Sequence, residues 1–144
     1  MKKVQLISKN LRQINLLYKK ILASELSVYE LDQHYEVLWA LSNYEEPITQ
    51  NKLAELLQID KSRMVNIIFY LEQKELILIK RNPADRREHY VYLSPSAKKS
   101  VQHIEHTIDK INKLAEDGIE EEKLNTFFEV SEMIQRNLLK RNNY

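Results

Sequence analysis

The chain has 144 residues, of which 43% are hydrophobic and 30% charged, with a formal net charge of +1. That length suits one domain with a sizeable core, and the balance excludes a chain disordered by composition. No run approaches the roughly 18 apolar residues of a membrane-crossing helix, and cysteine is absent, which removes disulfides, thiolate metal sites and thiol redox sensing together.

The start, MKKVQLISKNLRQ, has lysines but no continuous apolar core, so no secretory signal is expected and the location is expected to be cytoplasmic. A single glycine in the whole chain implies long helices and few tight left-handed turns. Six helices and one hairpin follow in order. The first is expected from about Val4 to Ala23, with Leu11, Ile14, Leu17, Tyr18, Ile21 and Leu22 on one side. A loop near Leu26–Leu31 leads to a second helix from Gln33 to about Asn43, with Asp32 as its N-cap. Val37, Leu38 and Leu41 form its inner stripe and Trp39 flanks it.

Pro47 and Ile48 are expected to end the next loop, and Thr49 to cap a short third helix, Gln50–Leu57, whose Leu53, Ala54 and Leu57 face inward. Gln58 and Ile59 make a turn. Asp60 then caps a fourth helix, Lys61 to about Gln73, in which Met64, Ile67, Ile68 and Leu71 recur at helical period. Two short helices joined by such a turn form a helix-turn-helix unit. Two β-rich runs follow, Leu76–Arg81 and Glu88–Leu93, bracketing a tip that holds Asn82, Pro83, Asp85, Arg86 and Arg87. Ser94-Pro95 is expected to start a fifth helix, with Pro in its first turn, which places Ala97, Val101, Ile104, Ile108, Ile111 and Ala115 on a heptad seam and stops at Gly118. A sixth, from about Glu121 to Arg141, repeats the pattern with Leu124, Phe127, Ser131, Ile134 and Leu138.

The fold expected is mainly α with a small β-hairpin wing: a winged helix-turn-helix plus long helices that form a dimerisation region. Residues 1–31 and 95–144 are assigned to that region, and residues 32–94 to the DNA-binding unit. Charge is distributed accordingly. Residues 52–99 hold ten basic and six acidic side chains, whereas residues 100–144 hold six and nine.

The chemistry expected is recognition. Arg63 can present a fork to guanine, Asn66 can pair with adenine, and Val65 can touch a thymine methyl, with Lys61, Ser62 and Tyr70 beside them on the outer face of the fourth helix. Thr49, Gln50 and Lys52 start the preceding helix and are candidate phosphate contacts. Arg81 and Arg86 at the hairpin tip suit phosphate, and an arginine-bearing hairpin beside such a helix suits the minor groove.

The ordered set Leu53-Ala54, Leu71-Glu72-Gln73-Lys74, Leu76-Ile77, Arg81-Asn82-Pro83-Ala84-Asp85-Arg86-Arg87 and Leu93-Ser94 resembles the MarR family of bacterial winged-helix transcription regulators, across essentially the whole chain. Glu75, Ser94 and Ala97 depart from residues common there (glycine, threonine and glycine), and Glu75 would have to bear any positive φ in its turn. The resemblance implies a homodimer built on the first, fifth and sixth helices, bound to a pseudo-palindromic operator, often with a small molecule that shifts affinity. It also implies Arg87 as the wing arginine that enters the minor groove, oriented by Asp85, and repression as the commoner mode.

Tyr18, Tyr35 and Trp39 could line an apolar cleft for an aromatic effector, although such residues more often belong to a core. His103 and His106, with His34 and Glu36, have spacing that permits shared metal coordination; surface histidines are the simpler reading, and no metal or other cofactor is expected. An enzyme is not expected either, since there is no Gly-rich phosphate loop, HExxH or Ser-centred elbow. The competing class is a winged-helix module that binds another protein.

Overall fold

The structure is a computed structural model that describes residues 3–32 and 34–142. Its helices are α1 (Lys3–Ser27), α2 (Tyr35–Ser42), α3 (Gln50–Leu57), α4 (Lys61–Gln73), α5 (Ala97–Glu116) and α6 (Glu121–Asn142). Its strands are β1 (Ile48–Thr49), β2 (Ile77–Arg81) and β3 (His89–Leu93). Contacts divide the chain into two compact units, residues 1–111 and 112–144. Among the described residues no helix is long and apolar enough to cross a membrane.

In the first unit the helical stripes read from the sequence converge. Val37, Leu38 and Leu41 of α2, Leu53 and Ala54 of α3, and Met64, Ile67, Ile68 and Leu71 of α4 are all buried in one cluster. Each is spaced to fall on one face of its helix, so a single core satisfies all three. Leu22 and Leu26 of α1 and Ile104 and Ile111 of α5 join the same cluster. The α5 seam residues Ala97, Val101, Ile104 and Ile111 are buried within the chain.

The sheet has three strands, not the two of a simple hairpin. Its order is β1-β3-β2, all antiparallel, with Ile48 opposite Val91 and Thr49 opposite Tyr90. The two-residue β1 lies where a loop end was expected. Pro47, which lacks an N–H, immediately precedes it, a position where no ladder bond is lost. Val91 on the central strand is buried and locks the sheet onto the helices.

Several boundaries differ from the sequence reading. α1 runs on to Ser27, because Leu22 and Leu26 continue its buried stripe past Ala23. α2 is not capped by Asp32: its N-cap is His34, in the left-handed region at φ 64°, with no side-chain cap bond. The expected start at Gln33 lies outside the described residues. Low glycine content also misled about left-handed turns. Glu30, His34, Gln58 and Glu75 all take positive φ, at 58°, 64°, 54° and 61°.

Three of those four residues close helices in the same way. After α4, the Leu76 N–H donates to the Leu71 carbonyl at 3.0 Å and the Glu75 N–H to the Glu72 carbonyl at 2.9 Å. The same pair of bonds follows α3, from Ile59 to Ala54 and Gln58 to Glu55, and follows α1, from Leu31 to Leu26 and Glu30 to Ser27. This is the Schellman closure, whose left-handed residue is usually glycine. Here glutamate or glutamine bears the strain, because the paired bonds and the apolar residue that follows outweigh it.

The second unit holds the end of α5 and all of α6. Gly118, at φ 74°, sits in the turn between them, and the Ile119 N–H donates to the Glu116 carbonyl at 2.9 Å. α6 starts with Glu121 and Glu122 and ends with Lys140 and Arg141, both favourable to its dipole. Phe127, Phe128, Met133 and Leu138 are 48%, 55%, 49% and 63% exposed.

Candidate nucleic-acid interface

The helix-turn-helix is α3, the turn at Gln58–Ile59, and α4. Its two N-termini are capped as the sequence indicates. Thr49 Oγ1 accepts from the Lys52 N–H at 3.1 Å, and Asp60 Oδ1 accepts from the Arg63 N–H at 2.8 Å. The Ser62 hydroxyl donates to the same Asp60 oxygen at 2.7 Å. These bonds hold the Asp60 carboxyl below the ordinary carboxylate range, the Arg63 N–H contributing most, then Ser62, with the Arg63 charge adding to both. A helix start is fixed without any buried contact.

Because Met64, Ile67, Ile68 and Leu71 point into the core, the opposite face of α4 is left to solvent. Lys61, Ser62, Arg63, Val65 and Asn66 are all exposed there. The Ser62 proton is committed to Asp60, so its oxygen offers lone pairs, which suit a base amino group better than a phosphate. Tyr70 differs from its neighbours. It is half-buried against the core, edge-on to the His34 ring at 5.2 Å, with Lys74 Nζ 5.8 Å from its ring centre. At the start of α3, Thr49 and Gln50 are half-buried and Lys52 is exposed, 3.9 Å from Glu55.

The wing tip is held by side-chain caps. The Asn82 N–H donates to the Glu88 carbonyl at 3.0 Å, and Asn82 Nδ2 reaches Glu88 Oε2 at 3.0 Å. Asn82 Oδ1 in turn accepts from the Ala84 N–H at 2.9 Å. Asp85 Oδ1 accepts the Arg87 N–H at 3.0 Å and faces Arg87 Nε at 3.4 Å, so the expected Asp85–Arg87 pairing is present. The Arg87 side chain is nevertheless 92% exposed. Arg81 and Arg86 are exposed as well.

The wing is tied back to α4 by a clamp that sequence reasoning missed. The Glu75 carbonyl, in the turn that ends α4, accepts Ser94 Oγ at 2.6 Å and Ser96 Oγ at 2.8 Å. The Ser94 N–H also donates to the Leu76 carbonyl at 3.0 Å. The end of β3 is therefore bonded to the end of α4 by three hydrogen bonds, which limits the freedom of the wing relative to the helix.

A cavity of about 400 Å³ opens beside this unit, lined by Lys19, Asp32, His34, Tyr35, Glu36, Ile59, Arg63 and Ile67 among others. Tyr35 lines it, but with Lys19, Asp32, His34, Glu36 and Arg63 beside it the cavity is not the apolar cleft expected; Tyr18 and Trp39 are not among its lining residues and pack against the core instead. Burial chiefly, and the Arg63 charge next, hold the His34 imidazole below its ordinary value, against an opposing pull from Glu36. Burial, then Glu36, raises Tyr35. Arg63 thus faces this cavity as well as the start of α4, which no periodicity could reveal. His103 stacks on Tyr29 at 3.8 Å and His106 is exposed; among the described residues no three His, Asp or Glu side chains cluster as a metal site.

Comparisons with known proteins agree with this geometry. The MarR family model matches residues 32–89. A protein of Thauera aromatica, named as a transcriptional regulatory protein for the hcr operon, is 28% identical over 74 residues. That match takes in 51% of this chain and 44% of the relative, so the chain spans less than half the relative's length. Among solved structures, the transcriptional regulator PA3341 superposes with a TM-score of 0.85 at 24% identity, covering 93% of this chain and 98% of that one. AbsC, a MarR family regulator from Streptomyces coelicolor, does so at 0.84 and 21%, covering 97% of each. S. aureus MepR, solved in its DNA-binding conformation, gives 0.79 and 20%, covering 92% of this chain and 98% of that one. The family match thus falls on the winged unit, residues 32–89, and the fold of these solved structures is shared over nearly the whole chain.

Proposed function

We propose that the chain is a sequence-specific DNA-binding transcriptional regulator, a repressor that binds a pseudo-palindromic operator as a homodimer. The observation that carries this reading is the outer face of α4. It has a capped, charged N-terminus and exposed Lys61, Ser62, Arg63, Val65 and Asn66 on a helix whose other face is wholly buried. A helix presented in that way fits the major groove, where Arg63 and Asn66 would read base edges for ~1–3 kcal/mol per bidentate contact. Lys61, Lys52, Arg81 and Arg86 would meet phosphates, as would Thr49 and Gln50 through the start of α3. Arg87, exposed at the wing tip, would enter the minor groove, with Asp85 restricting its rotamers. Tyr70 would act from behind, holding α4 against His34. The MepR structure, in a conformation named for DNA binding, supports the comparison.

Dimerisation belongs to the same reading. Leu11, Ile14 and Leu17 of α1 are 46%, 45% and 62% exposed, and Phe127 and Leu138 of α6 are 48% and 63% exposed. Apolar faces of that kind are expected to be covered by a second copy, which would set two reading helices roughly 34 Å apart. On this reading residues 1–31 and 95–144 serve association and residues 32–94 serve recognition. A small aromatic effector would enter at Tyr35, where Lys19 and Arg63 suit an anionic group, and would compete with DNA for Arg63. The regulator is a binding protein, acting in the cytoplasm.

The test is hydroxyl-radical footprinting on duplexes enriched from a random library, with sedimentation of the free protein. The reading expects a dimer mass and two protected patches about one helical turn apart on one side of the duplex. A monomer mass with a single short patch would defeat the dimer, and no protection at all would favour a protein-binding module.

A further inference from the structure

Phe69 is 63% exposed and Val65 is 53% exposed, on the same side of α4 as Ser62 and Asn66. The two are four residues apart and therefore adjacent along one helix face. Neither is needed by the core, which α4 already supplies with Met64, Ile67, Ile68 and Leu71. An exposed phenylalanine beside an exposed valine is an unfavourable use of a helix surface unless something apolar meets it.

The surroundings limit what that partner can be. On its own helix the ridge is flanked by Ser62, Asn66 and Gln73, with Lys61 one turn before Val65 and the exposed Glu72 three residues beyond Phe69. Residues 52–99 carry ten basic and six acidic side chains. An apolar ridge beside polar side chains that can reach base edges, in a segment with excess positive charge, suits DNA, whose major groove exposes one apolar group, the 5-methyl of thymine. Four residues of helix advance about 6 Å, close to two base-pair steps of about 3.4 Å. From Ser62 to Phe69 the advance is about 10 Å, within the length of helix a groove accommodates.

We infer that Val65 and Phe69 together read thymine methyl groups about two base pairs apart in each half-site. Phe69 is thereby a specificity-determining residue that the polar readers of α4 do not account for. This rests on the DNA-binding reading above and adds to it the kind of base that the apolar part of the helix selects. Arg63 and Asn66 then need not carry the discrimination alone.

The experiment uses the full chain and duplexes enriched from a random-sequence library by the wild-type protein. Each thymine is replaced singly by deoxyuridine, which removes only the methyl group. Binding is measured for wild type, Phe69→Ala and Val65→Ala, with helical content checked by circular dichroism. At one or two positions deoxyuridine should weaken wild type about fourfold, the worth of one buried methyl group. The same replacement should leave Phe69→Ala or Val65→Ala unaffected. A fourfold loss that persists in both variants, or no loss at any thymine, would overturn the inference and leave DNA binding standing. If wild type binds no duplex at all, the regulator reading falls and this inference with it.

Discussion

Replacing Glu75 by glycine should stabilise the protein, although no contact is added. Glu75 holds φ 61° in the turn that closes α4, and its N–H and that of Leu76 complete the paired bonds to Glu72 and Leu71. An L-residue in that conformation costs about 1–2 kcal/mol relative to glycine. Glycine returns some of this through the larger entropy of its unfolded chain, about 0.4–1 kcal/mol. The net expectation is a gain of about 0.8 kcal/mol, or roughly 2–3 °C in Tm for a chain of this size. Differential scanning calorimetry of wild type, Glu75→Gly and Glu75→Ala separates the cause, because alanine keeps the Cβ and should show no comparable gain. A Tm for Glu75→Gly at or below wild type, or an equal rise in Glu75→Ala, would refute the assignment of strain to the backbone. Affinity for duplex DNA should not change, since the clamp from Ser94 and Ser96 uses the backbone carbonyl that glycine retains.

Other outcomes follow from the same geometry. Ser94→Ala removes a buried hydroxyl from the Glu75 carbonyl and should cost about 1 kcal/mol in denaturant unfolding. Ser96→Ala should cost less, its hydroxyl being exposed, and the two should be non-additive because they share one acceptor. Arg87→Ala should weaken duplex binding several-fold and flatten its salt dependence by about one unit, with Tm unchanged because the side chain is 92% exposed; unchanged affinity would remove the wing from the mechanism. Stability should fall as pH drops through and below the ordinary histidine range. His34 binds its proton less readily folded than unfolded, so the unfolded chain takes up more protons there, and His34→Gln should flatten that slope in Tm measured against pH. Asp60 adds a separate loss at still lower pH, as its stabilising carboxylate is protonated on falling through its depressed folded value.

Much of the helix-turn-helix was legible because its signals are local. The stripe Met64, Ile67, Ile68, Leu71 and the caps Thr49 and Asp60 each depend on spacings of three or four residues, and all are found as spaced. What was missed depends on residues far apart in the chain. β1 exists because Ile48 meets Val91, and the Glu75 clamp spans 19 and 21 residues to Ser94 and Ser96. Asp32 looked like a cap by residue type, but the chain enters α2 through a left-handed His34 that packs on Tyr70. Composition misled in one respect: scarce glycine does not prevent left-handed turns when closing bonds and an apolar successor such as Leu31, Ile59 or Leu76 hold them. Phe69 on α4 lies off the inner stripe and is exposed, a signal that spacing alone carries.

The most direct test of the central claim is the affinity of the full chain for duplex DNA measured across salt concentrations. A surface that engages phosphates through Lys52, Lys61, Arg81 and Arg86 should give log affinity falling linearly with log salt, with a slope of about −4 or steeper for one protomer's contacts. A flat response would mean that the basic face of α4 and the arginine wing meet something other than a nucleic-acid backbone.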